Sequence, residues 1–335
     1  MKTVTVDKYN LEGAAKCLKD GGLVVFPTET VYGLGADASN PQAVKNIYKA
    51  KGRPSDNPLI VHISKQDDVQ RIAREIPDYA KELMNRYWPG PLTLIFKKQP
   101  QVINEVTAGL DTIAVRFPSN PIAIKLIHMS GVFVAAPSAN LSGSPSPTVY
   151  SHVKNDLEGR VDYIVNGEGC EIGLESTVVD VSGDYPVILR PGAITLEMLK
   201  AIHPDSCMDN ALNSGGEVAK PRCPGMKYTH YSPKADVIVV CGDKKKRTEY
   251  IQSQLDKVSN AGVMTYCGGK YPNAKCVIAA GDTMDEYGHN LFLNLRMFDE
   301  NGVDTIYAEF EIESGMGDAV KNRLYKSAGF NIVNV

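Results

Sequence analysis

The chain has 335 residues, 43% of them hydrophobic and 22% charged, with a formal net charge of -3. That length exceeds what one core usually serves, so two domains are expected, and the mild acidity removes the simplest case for a dedicated nucleic-acid binder, which needs clustered positive charge. No apolar run approaches a bilayer span, and seven scattered cysteines (Cys17, Cys170, Cys207, Cys223, Cys241, Cys267, Cys276) without a C-x-x-C pair argue for reduced thiols and against structural zinc.

Met1 to Val6 alternates polar and apolar residues like a strand and lacks the features of a signal peptide, so a cytoplasmic protein is expected. Asn10 to Lys19 reads as a helix ending at Gly21-Gly22, and Leu23-Val24-Val25-Phe26 as a buried strand. Pro27-Thr28-Glu29-Thr30-Val31-Tyr32-Gly33-Leu34-Gly35 then sets short polar groups and two glycines at a strand's carboxyl end, a position that favours ligands. Asn40 caps a helix that starts at Pro41, turns Ala43, Val44, Ile47 and Tyr48 to one face and runs into Lys51. Lys51-Gly52-Arg53-Pro54-Ser55-Asp56-Asn57-Pro58-Leu59 carries cations and an amide on a loop stiffened by glycine and proline, an anion site in outline. At a helix carboxyl end the dipole also favours such cations with no ligand at all. His62 sits inside the apolar strand Leu59 to Ile63, where a histidine serves either as core or as ligand.

Ile76 to Tyr87 is expected to be helical, Trp88-Pro89-Gly90-Pro91 a rigid turn, and Leu92 to Phe96 a strand. Thr112 to Pro118 places Arg116 within another apolar strand. A buried arginine left unpaired costs about 3 to 5 kcal/mol, and no acid is adjacent, so a distant carboxylate or a bound ligand must answer it. Pro121 to Met129 reads as a helix and Val132 to Ala136 as a strand. Pro137-Ser138-Ala139-Asn140-Leu141-Ser142-Gly143-Ser144-Pro145-Ser146-Pro147-Thr148 follows, rich in hydroxyls and N–H groups able to line up on phosphate oxygens. Glu175-Ser176-Thr177 opens the strand Val178 to Val181, and Leu189-Arg190-Pro191-Gly192 closes the next. Thr30, Lys51 with Arg53, Arg116, Ser138 with Asn140, and Ser176 with Arg190 thus crowd the element ends beyond what turns alone need.

These stretches, with Pro89-Gly90-Pro91-Leu92-Thr93 and Ala114-Val115-Arg116, resemble the YrdC/YwlC-like L-threonylcarbamoyladenylate synthase family over residues 1–203. The downstream region resembles the family's two-domain form. Residues 204–234, with Pro221-Arg222-Cys223-Pro224-Gly225-Met226-Lys227-Tyr228-Thr229-His230-Tyr231-Ser232-Pro233, would be the linker reaching over the active site, and residues 235–335 the C-terminal domain. There, strands at Val237 to Val240, Val263 to Thr265, Val277 to Ala280 and Thr305 to Glu309 alternate with helices, one with Tyr287, Leu291, Phe292, Leu295 and Phe298 on its apolar face. The expected fold is α/β: a twisted mixed-sheet YrdC-like domain plus a smaller Rossmann-like parallel α/β domain. The latter has no Gly-x-Gly-x-x-Gly fingerprint, so no nucleotide site is assigned to it.

The resemblance implies that ATP, bicarbonate and L-threonine give threonylcarbamoyl-AMP and pyrophosphate. The product would feed downstream machinery that threonylcarbamoylates tRNA adenosine beside the anticodon, and a weak contact with tRNA is left open. It implies a threonine site at Thr30, His62, Arg116, the backbone around Ala136, and Ser176. For ATP it implies Lys51, Arg53, Asn57, Thr112, Ser138, Asn140, Ser146, Arg190 and Tyr231. Lys51, Arg53 and His62 are the candidate catalytic residues. Magnesium is expected with ATP without a protein-built cage, and no organic cofactor. Two other classes compete: an RNA-binding module, whose binding would be steep in salt and indifferent to threonine, and a carbamoyltransferase of the hydrogenase-maturation type, which usually carries zinc-finger modules absent here.

Overall fold

A computed structural model describes residues 2–212, 222–224 and 231–335. The chain divides into two compact units, one of Met1–Ser142, Ser146–Glu171 and Glu175–Tyr228, the other of Gly143–Pro145, Ile172–Leu174 and Thr229–Val335.

The first unit runs β1 (Val4–Asp7), α1 (Glu12–Lys19), β2 (Val24–Phe26), β3 (Gly33–Asp37), α2 (Pro41–Lys51), β4 (Ile60–His62), β5 (Ala73–Arg74), α3 (Asp78–Tyr87), β6 (Leu92–Lys98), α4 (Asn104–Thr107), β7 (Thr112–Arg116), α5 (Pro121–Ser130), β8 (Val134–Ala135), α6 (Tyr150–Leu157), β9 (Tyr163–Asn166), β10 (Thr177–Asp180), β11 (Val187–Arg190), α7 (Leu196–Lys200) and β12 (Cys207–Met208). The strands form one mixed sheet in the order β1-β9-β2-β3-β8-β4-β7-β6-β10-β11-β12, with β5 on β6. Helix boundaries follow local chemistry. The Asn40 side chain accepts from the N–H groups of Gln42 and Ala43, and Gly52 closes α2 in the left-handed conformation at φ 62. Helix α1 starts at Glu12, not Asn10, because the Asp7 carboxylate accepts from the N–H groups of Tyr9 and Asn10 and holds them in a turn. Likewise α3 starts at Asp78, since Ile76 precedes a proline and is pushed out of the helical region.

Alternation along the strands sorts side chains between two faces. On one face a large core gathers Val61, Leu94, Phe96, Ile113, Val115 and Val179 against Ile47, Leu83, Val153 and Leu199 from the helices. On the other, α1 and α5 cover only the β2-β8 side, where Phe26, Val134 and Ala136 meet Leu18 and Leu126. The remaining strands of that face, β4, β7, β6, β10 and β11, carry a small cluster of Ile60, Ala114, Ile95, Val178 and Leu189, packed under Cys223. It is there that the polar side chains gather.

In the second unit, β13 (Asp236–Cys241), α8 (Lys244–Leu255), β14 (Ala261–Tyr266), β15 (Cys276–Gly281), α9 (Met284–Glu300), β16 (Thr305–Phe310), α10 (Met316–Ser327) and β17 (Ile332–Asn334) build a five-stranded sheet, order β15-β14-β16-β13-β17. Every pairing in it is parallel. As expected, the apolar face of α9 is buried, including Tyr287, Leu291, Phe292, Leu295 and Phe298.

Candidate active site

Parallel pairing of β4 with β7 sets His62 opposite Arg116, and antiparallel pairing of β7 with β6 sets Arg116 opposite Thr93. Three polar side chains therefore lie abreast at one end of the half-open face. Arg116 is 4% exposed, and the distant carboxylate that its burial demanded is Glu29, 3% exposed, with Oε1 2.8 Å from Nη2. Its Nη1 donates to Thr30 Oγ1 at 2.9 Å, and its Nε to the carbonyl of Gly90 at 3.4 Å. The Trp88-Pro89-Gly90-Pro91 turn is thus part of the site's frame; the Thr177 N–H donates to Pro91 O at 3.0 Å and anchors the start of β10 to the same turn.

Ser176, just before that strand, shares a hydrogen bond with Thr93 at 2.7 Å and accepts one from Arg190 Nη2 at 3.1 Å, while Arg190 Nε donates to its carbonyl. The Arg190-Pro191-Gly192 motif turns here because space demands glycine: a Cβ on Gly192 would lie 2.5 Å from Thr177 N and 2.7 Å from its Oγ1.

The second group is built on the end of α2. Lys51 is buried, and its Nζ donates to the carbonyls of Ser138 and Asn140, the latter at 2.6 Å. Ser142 N–H returns a bond to Lys51 O at 2.9 Å, and Ser138 Oγ donates to Asn140 Oδ1 at 2.6 Å. An isolated bridge joins Ser138 to Gly33, tying this loop to the Thr28–Gly35 segment. Val132 to Ala136 forms strand only at Val134 and Ala135, yet Ala136 N–H still donates to Ile60 O at 2.9 Å and so continues the pairing irregularly. Ser146 Oγ donates to Glu175 Oε1 at 2.6 Å.

Arg116 Nη2 and Glu29 Oε1 answer one another as an ion pair, whereas buried His62 Nδ1 and, on the loop before β4, both amide atoms of Asn57 have no hydrogen-bond partner among the described residues. Buried polar groups are normally satisfied, so His62 and Asn57 are candidates for ligand contact. Burial first, and the Arg116 charge second, push His62 down to about 3, so it is a neutral imidazole. Burial, the largest single cause, raises the Glu29 carboxyl, but the Arg116 charge and hydrogen bond together with the backbone N–H groups of Glu29 and Ser119 turn the net shift downward, which leaves a carboxylate. The Cys170 thiol is pushed up to about 12, chiefly by burial, and is no nucleophile.

Thr30, His62, Arg116, Ala136 and Ser176 lie along this face, and Lys51, Ser138 and Asn140 form one hydrogen-bonded group. Arg190 joins Ser176, and the buried Ser146 joins Glu175. Half-buried Arg53 follows Gly52, its N–H bonded to Tyr48 O. Thr112 stands at the opposite end of β7 from Arg116, about 13 Å along the strand, on the same face but outside the bonded cluster. From the linker, the chain at 222–224 belongs to the first unit: Arg222 pairs with Asp180 and Asp209, and Pro224 O accepts from Arg190 Nη1. Tyr231 belongs to the second unit, where its ring stacks on Phe292 at 5.1 Å. The linker residues 213–221 and 225–230 lie outside the described residues. Sequence reasoning assigned no role to Glu29, Thr93 or Glu175. For Glu29 a signal existed, since Arg116 required an acid and one stood beside Thr30; Thr93 looked like an ordinary strand residue.

Comparison with known proteins gives two family matches, one described as telomere recombination (Sua5, YciO and YrdC proteins) over residues 16–192, the other as the threonylcarbamoyl-AMP synthase C-terminal domain over 194–329. A threonylcarbamoyl-AMP synthase of Pyrococcus abyssi is 46% identical over 332 residues, covering 98% of this chain and 97% of the relative. One from Bacillus subtilis is 46% identical over 325 residues, covering 96% and 93%. Among solved structures, P. abyssi Sua5 complexed with L-threonine superposes with a TM-score of 0.94 at 44% identity, over 99% of this chain and all of that one.

Proposed function

Because the chain belongs to the two-domain threonylcarbamoyl-AMP synthase family, we propose how its first unit carries out that synthesis. The protein is a threonylcarbamoyl-AMP synthase, using L-threonine and ATP to make the activated carbamoyl adenylate required for tRNA threonylcarbamoylation. In our reading bicarbonate supplies the carbamoyl carbon: the threonine amine forms a carbamate, whose oxygen attacks the α-phosphorus and expels pyrophosphate. The reactants are all anions, so catalysis rests on positioning and on fixed donors.

We assign the threonine carboxylate to Arg116, whose planar fork suits it, with Thr30, His62, the backbone at Ala136, and Ser176 around the rest of the amino acid. Neutral His62 would serve as a hydrogen-bonding group. The ATP phosphates are assigned to Arg53, Asn57, Ser138, Asn140, Ser146 and Arg190, with Lys51 shaping the Ser138–Asn140 loop from beneath, and Thr112 to the nucleoside end. Magnesium would arrive with the triphosphate. Among the described residues no three His, Cys, Asp or Glu side chains gather as a cation cage, so phosphate oxygens and water would be its ligands. The observation that carries this reading is the buried row of His62, Arg116 and Thr93, with Glu29 and Thr30 bound to Arg116 and Ser176 bound to Thr93. No described helix is long and apolar enough to cross a membrane; we place the protein in the cytoplasm, passing its product to a tRNA-threonylcarbamoylating partner. Pyrophosphate release by the purified protein tests the whole: it should require both threonine and bicarbonate, and release independent of either would refute the reading.

A further inference from the structure

Resting on the assignment of Arg116 to the threonine carboxylate, we propose that Glu29 receives the threonine ammonium and takes a proton from it, freeing the amine for carbamate formation. An amino acid reaches the pocket as a zwitterion and offers the same two charges as the buried Arg116–Glu29 pair, with Oε1 and Nη2 2.8 Å apart. A zwitterion set between them meets a cation with its carboxylate and an anion with its ammonium.

The bonding pattern suits that exchange. Thr30 and the Gly90 carbonyl hold Arg116 through Nη1 and Nε, so the guanidinium keeps its orientation when its third nitrogen changes partner. That nitrogen meets Glu29 as an ion pair and not as an aligned hydrogen bond, a contact that a zwitterion can replace. The neighbours of Glu29 cannot take the role: His62 at about 3 is too weakly basic at neutral pH, and the Cys170 thiol stays protonated.

Burial acts to raise the Glu29 carboxyl, and Arg116 is the largest of the groups that oppose it, ahead of the backbone N–H groups of Glu29 and Ser119. Once a substrate carboxylate engages Arg116 that opposition weakens, so the base is strongest with threonine in place. The steps balance. The Glu29 carboxylate takes one ammonium proton; the amine lone pair forms an N–C bond to bicarbonate carbon; a C–O bond breaks, and hydroxide leaves as water with a second proton from nitrogen. Ammonium and bicarbonate thus give carbamate, one water and one proton, which Glu29 returns to solvent.

Steady-state pyrophosphate release by the full chain at saturating ATP and bicarbonate tests this. Glu29→Gln should lower kcat by about 100-fold and leave the ATP KM unchanged. Its kcat should climb about tenfold in all between pH 7 and 9, because free amine must come from solution and an α-amino group of pKa about 8 is released over that range, against a much flatter native profile. Glu29→Asp, which keeps the ion pair and guards against a misfolded glutamine variant, should keep the flat profile at a reduced rate. A glutamine variant with native kcat, or with lowered kcat and the native pH profile, would reduce Glu29 to a holder of Arg116 and overturn the proposal. So would an aspartate variant with the steep pH profile expected of the glutamine one. Calorimetric titration of Arg116→Ala with threonine separates the underlying assignment: native affinity there removes the carboxylate role of Arg116. Lost affinity there together with a native pH profile in Glu29→Gln removes only the base.

Discussion

Replacing His62 by Gln should remove most of the acid sensitivity of the catalytic unit between pH 7.5 and 5. In the folded chain burial and Arg116 hold the imidazole at about 3, against 6.5 when exposed. The unfolded chain therefore binds a proton in this range that the folded chain refuses. The stabilising contribution is complete above pH 6.5 and is lost progressively as pH falls towards 3. At pH 5 an unfolded histidine is almost wholly charged and the buried one almost wholly neutral, so the loss relative to pH 7.5 comes to about 2 kcal/mol from this residue alone. The figure hardly changes for any folded value below about 4, which makes it a test of burial and not of fine electrostatics. The assay is urea unfolding followed by tryptophan fluorescence at both pH values. Trp88 is the chain's single tryptophan and is buried in the catalytic unit, with its indole N–H bonded to Leu92 O at 2.7 Å, so it reports on the unit that contains His62. Equal pH dependence in the native protein and the Gln variant would refute the account of His62 as a buried neutral group.

Gly192→Ala should cost about 1 to 3 kcal/mol from overpacking, because the added carbon meets backbone at Thr177; it should also raise the threonine KM through displacement of Ser176, and a variant with native melting and kinetics would contradict the crowding. Cys223 is fully buried against Ile60, Ile95, Ala114, Val178 and Leu189 while Cys267 is exposed, so mass-mapped alkylation should modify Cys223 at least about tenfold more slowly. Arg222→Ala, which loses the pairs with Asp180 and Asp209, should narrow that gap, with melting changed by no more than about 1 kcal/mol since the arginine is half exposed; equal labelling of the two thiols would show that the segment does not seat there.

Local rules were enough for the periodic parts of the chain. Asn40 and Pro41 announced a helix start, Gly52 its end, and the alternation in Thr112 to Arg116 its buried strand. The failures were competition between neighbours: Asp7 drew Asn10 into a turn, and Pro77 delayed α3. The site was legible in its parts because polar residues at strand ends stand out against apolar runs, and Arg116 advertised a missing acid. Which acid it was could not be read, because Glu29 and Arg116 meet only when β2, β3, β8, β4 and β7 lie side by side, an order set by long-range pairing. Thr93 was hidden for a similar reason, since its hydroxyl matters only through Ser176, 83 residues away. Lys51 looked like a solvated helix end and is instead sealed against two carbonyls.

The buried Glu29–Arg116 pair and His62 also bear on how much of this protein a cell can keep. Ionic and polar groups held inside a fold recover less free energy than apolar packing of the same volume, so this site adds little to the stability of the unit that houses it. Ligands that bind these groups stabilise the folded unit in proportion to the logarithm of their concentration over their dissociation constant. Substrate supply then acts before any turnover occurs. A cell short of threonine or ATP would hold this enzyme closer to its unfolding threshold, where proteases remove it sooner, and a well-fed one would protect it. The same polar groups that bind the reactants thereby couple the enzyme's lifetime to the nutrients it consumes.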